Sequence, residues 1–243
     1  MSDSLCLSEL PDQDPPKIRP GRDPRAVLLS KWKWIPGQTI TICFLGGSPN
    51  LQKKVAGYAK EWLLYANLKF NFVPGPVADV RIAFKEGGGS WSYVGTDCQN
   101  QPSDAPTMNF GWFNDKTSEK ELKGTTLHEF GHMLGLVHEH SSPDSPIQWN
   151  KQVVYDRYSG APNNWDKAQI DSNVISKYEK TQTQYSAFDP HSIMLYTFSA
   201  SLTTNNYSTH SNKKLSPTDK MHIGKMYPFV SLFNLSLTTA SNL

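Results

Sequence analysis

The order of segments in this chain predicts an α+β fold with two lobes flanking a cleft. Three observations carry that expectation. Short alternating or β-branched apolar runs recur between positions 39 and 113 and are crossed by one clear amphipathic helix. A second helix follows and bears a histidine cluster, HEFGHMLGLVHEH, at 128–140. Beyond it the chain is loopier, with short helical pieces and a well-signalled final helix at 216–228. The N-terminal lobe is thus expected to be a twisted mixed sheet with two long helices, and the C-terminal lobe smaller and irregular with a final helix.

Each element has its own local cause. Residues 1–31 are rich in Pro, Asp and Arg without any period, which predicts an extended arm or leader. Order begins near Trp32-Lys33-Trp34, and TITICFL (39–45) predicts a strand that Gly46-Gly47-Ser48-Pro49-Asn50 breaks. NLQKKVAGYAKEWLLYANL (50–68) places Leu51, Val55, Tyr58 or Ala59, Trp62 and Tyr65 or Ala66 at helical spacing, with Ser48 or Asn50 available as a cap. LKFNFV (68–73) and DVRIAF (79–84) predict strands. EGGGSWSYVGTD (86–97) lacks the Gly-Lys-Ser/Thr ending of a phosphate loop, so nucleotide binding is discounted and a bulge or tight loop beside a sheet edge is expected. TMNFGWF (107–113) predicts a short strand at the sheet edge. SEKELKGTTLHEFGHMLGL (118–136) predicts a helix, with Ser118 and Glu121 in capping-box spacing and Gly135 near its end. Shorter helical pieces are expected at 150–158 and 171–179, and SPTDKMHIGKMYP (216–228) starts Ser-Pro, carries Asp219 in its first turn and stops before Pro228. The expected organisation is an arm over 1–31, a single domain over 32–228 with its cleft between lobes of about 32–138 and 139–228, and a tail over 229–243.

Bulk properties exclude several classes. The 243 residues are 37% hydrophobic and 19% charged, enough for one substantial core or two lobes sharing a cleft. A net charge of +2 gives no electrostatic case for nucleic acid or a membrane surface, so neither partner is expected. No apolar run approaches the roughly 18 residues a bilayer span requires. The first residues show neither a basic n-region nor an apolar h-region, which predicts a cytoplasmic or non-classically secreted chain. Of three cysteines, Cys43 and Cys98 are expected as buried thiols, with a bridge between them left open. A monomer is expected.

The histidine cluster is where chemistry concentrates. His128 and His132 are four apart, so on a helix their imidazoles stack on one face and reach one ion. Glu129, about 100° further round the axis, reaches a water activated by that ion without being a ligand. A catalytic site needs a third protein ligand. Gly135 lets the helix stop at positive φ and turn, which returns His138 toward the same ion. Three neutral imidazoles favour one Zn²⁺ over hard cations. His140 is expected to be a solvated loop histidine and His191 a turn residue.

HExxHxxGxxH at 128–138 resembles the zinc-binding motif of the metzincin peptidases. SIMLY (192–196) resembles that clan's Met-turn, which implies that Met194 floors the zinc and that Tyr196 approaches the metal as an additional ligand, as in astacins and serralysins. Glu139 directly after His138 is similar to the astacin extension of the motif, whereas Leu136 is more similar to matrixins and serralysins, and Leu195 stands where astacins usually carry histidine. WKWIPGQTITICFL, GGGSWSYVGTD, TMNFGWF and LSPTDKMHIGKMYP also resemble astacin-type peptidases of fungi and bacteria, so the resemblance spans roughly 32–228.

The resemblance implies a zincin-like metallopeptidase fold and a zinc-dependent endopeptidase. Glu129 would be its general base and acid, Tyr196 a donor to the oxyanion, and a protein or peptide substrate would lie extended in the cleft, paired to the strand near 107–111. It further implies that relatives are mostly exported, and it raises a latency role for the arm through Cys6, Asp12, Asp14 or Asp23. Two other functions fit parts of the pattern: a catalytically silent zincin-fold binding module, which has no need of Glu129, and a zinc amidase acting on a non-protein substrate.

Overall fold

The computed structural model of the chain describes residues 7–9, 32–160, 163–178 and 187–229. The remainder of the expected arm, including Cys6, Asp12, Asp14 and Asp23, and the tail beyond Phe229 lie outside the described residues.

The expected α+β architecture is present. Among the described residues, six strands form one mixed sheet: β1 (Leu7–Glu9), β2 (Thr39–Phe44), β3 (Lys69–Phe72), β4 (Val80–Ala83), β5 (Ser90–Tyr93) and β6 (Met108–Phe110), in the spatial order β1-β5-β6-β4-β2-β3. β2, β3, β4 and β6 run parallel, β5 runs antiparallel to β6, and β1 lies parallel to β5. Parallel neighbours need a crossover, and helix α1 (Pro49–Ala59) supplies it between β2 and β3. Ser48 caps α1 by accepting from the Leu51 N–H, with Pro49 in the first turn. The helix is shorter than its apolar period suggests. It tightens into a 3₁₀ turn at Lys60–Leu64, where the Trp62 indole N–H is drawn to the Leu127 carbonyl at 3.0 Å.

Two expectations about the sheet are corrected. The stretch after Gly87-Gly88-Gly89 is not loop throughout, because SWSY forms β5. The segment near 107–111 is not an edge either: β6 is paired on both sides, by β4 and by β5. The side of β5 away from β6 is the one that Leu7–Glu9 lines by backbone pairing.

Helix α2 (Glu119–Met133) starts where the capping pattern predicts, with the Ser118 hydroxyl accepting from the Glu121 N–H. Its last carbonyls would be orphaned in the interior. The Trp34 indole N–H donates to Met133 O at 2.8 Å and the Tyr227 hydroxyl to Leu134 O at 2.7 Å. Residues nearly two hundred positions apart thus close one helix terminus.

Apolar side chains gather in two clusters. The larger fills the space between sheet and helices, with Ile40, Ile42, Val55, Trp62, Ile82, Met108, Phe110, Leu127 and Phe130 at its centre. Helix α5 (Pro217–Met226), expected to belong to the second lobe, contributes Ile223 and Met226 to this first cluster. The smaller cluster is built from helix α3 (Lys151–Ser159), the short α4 (Lys167–Ile170), a π-helical turn (Asp171–Ile175) and the loops around Phe198 and Leu202. Cys43 and Cys98 are buried free thiols, and burial pushes Cys98 up to about 12. Among the described residues no helix is long and apolar enough to cross a membrane.

Candidate metal centre

His128 and His132 lie on consecutive turns of α2 and are both buried, with ring centroids 4.8 Å apart. Each has its Nδ1 against a carbonyl: Ile193 O at 2.7 Å for His128 and Leu136 O at 2.9 Å for His132. Those contacts put the ring protons on Nδ1 and leave the Nε2 lone pairs facing inward.

Gly135 brings in the third ring. At φ +95° it donates its N–H to His132 O at 2.7 Å, while the Leu136 N–H reaches Gly131 O at 2.9 Å. Those two bonds are a Schellman termination, which reverses the chain within a few residues of the helix. His138 arrives with its Nε2 3.0 Å from His132 Nε2. One ligand atom from each of His128, His132 and His138 lies within 4.8 Å of the other two.

The donor set fits a soft-to-borderline metal ion. Burial pushes His128 down to about 4, and burial together with the neighbouring imidazoles holds His132 and His138 well below the usual histidine range. The rings are therefore neutral near pH 7, the state a ligand needs. His128 Nε2 is buried without a hydrogen-bond partner. Two neutral Nε2 lone pairs at 3.0 Å repel unless a cation or proton lies between them.

Glu129 is 0% exposed, on the next position of the helix. Met194 is packed beneath α2, so closely that a Cβ at Gly131 would collide with its Sδ. Gly131 falls between the two helical ligands at a position the motif leaves unspecified, and no local pattern announces its role. Tyr196 is buried with its ring 4.0 Å from that of His138 and 6.0 Å from that of His128. Met194 belongs to the first apolar cluster and Tyr196 to the second, so the two-residue step between them crosses the seam of the molecule.

The Met-turn segment also orients ligands. Ile193 O holds His128, and Met194 O accepts from the Glu139 N–H at 3.0 Å. Asp219, from the first turn of α5, accepts from the Ser192 hydroxyl at 2.7 Å and from the Ile193 and Ser216 N–H groups at 2.8 Å each. Glu139 accepts from the Asp189 N–H at 2.8 Å, and Asp189 takes the Ser216 hydroxyl at 2.6 Å. Burial, then the nearby Asp189 and Asp219 carboxylates, push Glu139 up to about 7 despite that N–H. Burial likewise raises Asp219. Asp219 is readable in the sequence only as a helix-capping residue, since nothing local announces its contacts near 192.

Two outlying histidines divide. His191 is exposed in a turn and donates its N–H to Asp189 Oδ1. His140 is not solvated, as its charged neighbourhood in the sequence suggests. It is fully buried, and burial pushes it down to about 4.

The fold and this geometry have known counterparts. The profile of the peptidase family Astacin matches residues 29–231. Two solved structures of myroilysin are similar: one at 47% identity and TM-score 0.80, covering 84% of this chain and 98% of that one, the other at 43% and 0.70, covering 93% and 92%. High choriolytic enzyme 1, a hatching enzyme zinc-protease from the medaka Oryzias latipes, shares the fold at 17% identity and TM-score 0.56, covering 82% of this chain and 95% of that one. Zinc metalloproteinase nas-17 of Caenorhabditis elegans is 28% identical over 171 residues, 69% of this chain, and Protein SpAN of Strongylocentrotus purpuratus is 38% identical over 63 residues, 26% of this chain. The chain spans 34% of the length of the first and 9% of the second. With the profile matched over most of its length, the chain belongs to the astacin family of peptidases and carries that family's zinc metallopeptidase domain.

Proposed function

We propose that this chain is a zinc-dependent endopeptidase whose catalytic domain spans 32–228, with its cleft along the seam between the two apolar clusters. The observation that carries the reading is the convergence of the His128, His132 and His138 ligand atoms within 4.8 Å beside a fully buried Glu129. Zn²⁺ bound there supplies a Lewis acid that polarises a peptide carbonyl and brings the pKa of water toward about 7.

The remaining work falls to the chain's own groups. The three imidazoles would hold the ion, and the Ile193 and Leu136 carbonyls keep the His128 and His132 rings from turning. Glu129 takes the proton of the attacking water onto its carboxylate and returns it to the leaving amine. Tyr196, close to His138, donates its hydroxyl to the oxyanion as the carbonyl becomes tetrahedral. Gly135 and Met194 hold the turn and the floor. The substrate backbone lies extended and pairs with the outer edge of β5, the edge that Leu7–Glu9 occupies here. The enzyme acts as a monomer on protein or peptide, with no nucleic acid or membrane partner.

The deciding experiment is metal analysis joined to cleavage of a peptide library, with and without a chelator. One bound zinc and chelator-sensitive cleavage are expected. Stoichiometric zinc with no cleavage of any peptide would leave a silent binding module or a non-peptide amidase instead.

A further inference from the structure

His140 stands outside the assigned machinery, buried and held through one ring nitrogen, while its Nδ1 has no hydrogen-bond partner. Its ring is 0% exposed. Nε2 lies 3.0 Å from the Asn173 carbonyl, so Nε2 carries the ring proton. Asn173 sits in the π-helical turn Asp171–Ile175, closed by the Ser176 N–H on Asp171 O at 2.8 Å. The Asn173 side chain is tied back to Gln169 O at 2.9 Å, so the acceptor is itself anchored. A π-turn widens the helical ladder and re-aims a carbonyl, and such turns recur at functional sites. Here the re-aimed carbonyl ends on an imidazole two residues past a metal ligand.

That imidazole is a wall. The Tyr196 ring lies against it at 4.7 Å and 21°, and the His138 ring at 5.2 Å and 24°. The Trp149 indole closes edge-on behind it at 6.1 Å and 84°. Tyr196 is therefore bounded by His140 as well as by His138 and His128. A ring whose hydroxyl must meet a developing charge gains nothing from the hydroxyl unless its χ angles are fixed by packing. The Thr209 hydroxyl, donating to Tyr196 O at 2.5 Å, anchors the backbone from which this ring projects.

We propose that His140 is a positioning residue for Tyr196: its ring, fixed by the Asn173 carbonyl, keeps the phenol against His138 and His128. The inference rests on the peptidase reading for its consequence in turnover, but the geometry it asserts is testable without turnover.

Two variants separate the ring from its N–H. His140→Gln keeps an amide donor for Asn173 O and removes the wall, while His140→Phe keeps a wall and removes the donor. In metal-free protein, NMR should show a nuclear Overhauser contact between the Tyr196 and His138 rings. His140→Gln should lose it while the contact between the stacked Phe110 and Phe113 rings, 4.5 Å apart, persists. His140→Phe should keep both contacts and show a lower Tm. With zinc bound, His140→Gln should lose about 10-fold in kcat with KM within about two-fold, and His140→Phe should recover most of that loss. Adding Tyr196→Phe to His140→Gln should cost far less than Tyr196→Phe alone, because the hydroxyl is already misplaced.

An intact Tyr196–His138 contact in His140→Gln overturns the proposal. So does its loss in a His140→Phe protein that keeps the Phe110–Phe113 contact, and this second result decides the matter should His140→Gln fail to fold. If wild-type protein binds zinc and cleaves no peptide, the endopeptidase reading fails and the NMR contacts still decide the role of His140.

Discussion

The two apolar clusters are built by different means, and the site takes different things from each. The first is held by regular structure: a sheet register and two long helices whose caps and buried faces follow local periodicity. The second has short helices, a π-turn and loops joined by side-chain hydrogen bonds, such as Thr203 Oγ1 to Tyr207 O at 2.9 Å and Asn205 Nδ2 to Pro146 O at 2.8 Å. The first supplies two metal ligands and the proposed base from a single helix. The second supplies Tyr196 and the wall behind it. Metal binding should therefore track the integrity of the first, and the rate of turnover should be sensitive to both.

The largest expected effect tests the part of that division inside the first cluster. Glu129→Gln leaves the three imidazoles and their carbonyl partners unchanged, so bound zinc measured by metal analysis should stay at the wild-type level. Loss of the proton acceptor should lower kcat by at least about 100-fold. A Glu129→Gln protein that turns over peptide at the wild-type rate would sink the proposed role of the carboxylate.

Next in size is a change at the joint between the regions. Asp219→Ala strips the acceptor from the Ser192 hydroxyl and from the Ile193 and Ser216 N–H groups, all buried. Several buried donors left without a charged acceptor should cost about 3 kcal/mol, read as a lower midpoint in a denaturant titration. The same change loosens Ile193 O and with it the His128 ring, so zinc affinity should fall. If stability drops while zinc affinity is untouched, the Met-turn segment is not what orients His128.

How much of this was legible follows the same division. Helix α2 could be read residue by residue, because Ser118, the four-residue histidine spacing and Gly135 each act on near neighbours. Whether a strand is an edge depends on what pairs with it, so β6 could not be read as interior, and three glycines concealed β5. His140 looked solvated because its sequence neighbours are polar. Its burial comes from Asn173 and Trp149, which no local pattern links to it. Asp219 likewise revealed its cap and concealed its contacts 26 and 27 residues upstream.

A smaller effect is expected from filling the space beneath the ligands. Gly131→Ala drives a Cβ into Met194 Sδ and places it 3.3 Å from the Trp62 ring. Overpacking should outweigh the helix propensity gained and cost about 1–2 kcal/mol net. Because the methyl pushes on the floor, zinc affinity should weaken slightly in equilibrium competition with a chelator. A more stable Gly131→Ala protein with unchanged affinity would show that Met194 yields freely and is not a fixed floor.

The smallest effect examines the second cluster alone. The Thr209 hydroxyl donates to Tyr196 O at 2.5 Å and accepts from the Phe198 N–H at 2.9 Å, fastening the strip that carries the tyrosine. Thr209→Val keeps the shape, and the backbone bond from Thr209 N to Phe198 O at 3.1 Å remains available. Two buried backbone groups lose a partner while one methyl gains apolar contact, so the net cost should be about 1 kcal/mol. His128 and His132 are oriented through the Ile193 and Leu136 carbonyls, outside this strip, so zinc content should match wild type. Turnover should fall a few-fold, about the loss expected when a donor drifts rather than disappears, and the Tyr196→Phe background should abolish the difference. Equal losses in zinc content and turnover would mean that the two clusters do not divide the site, and that the metal depends on the loop-built region as much as on the helix.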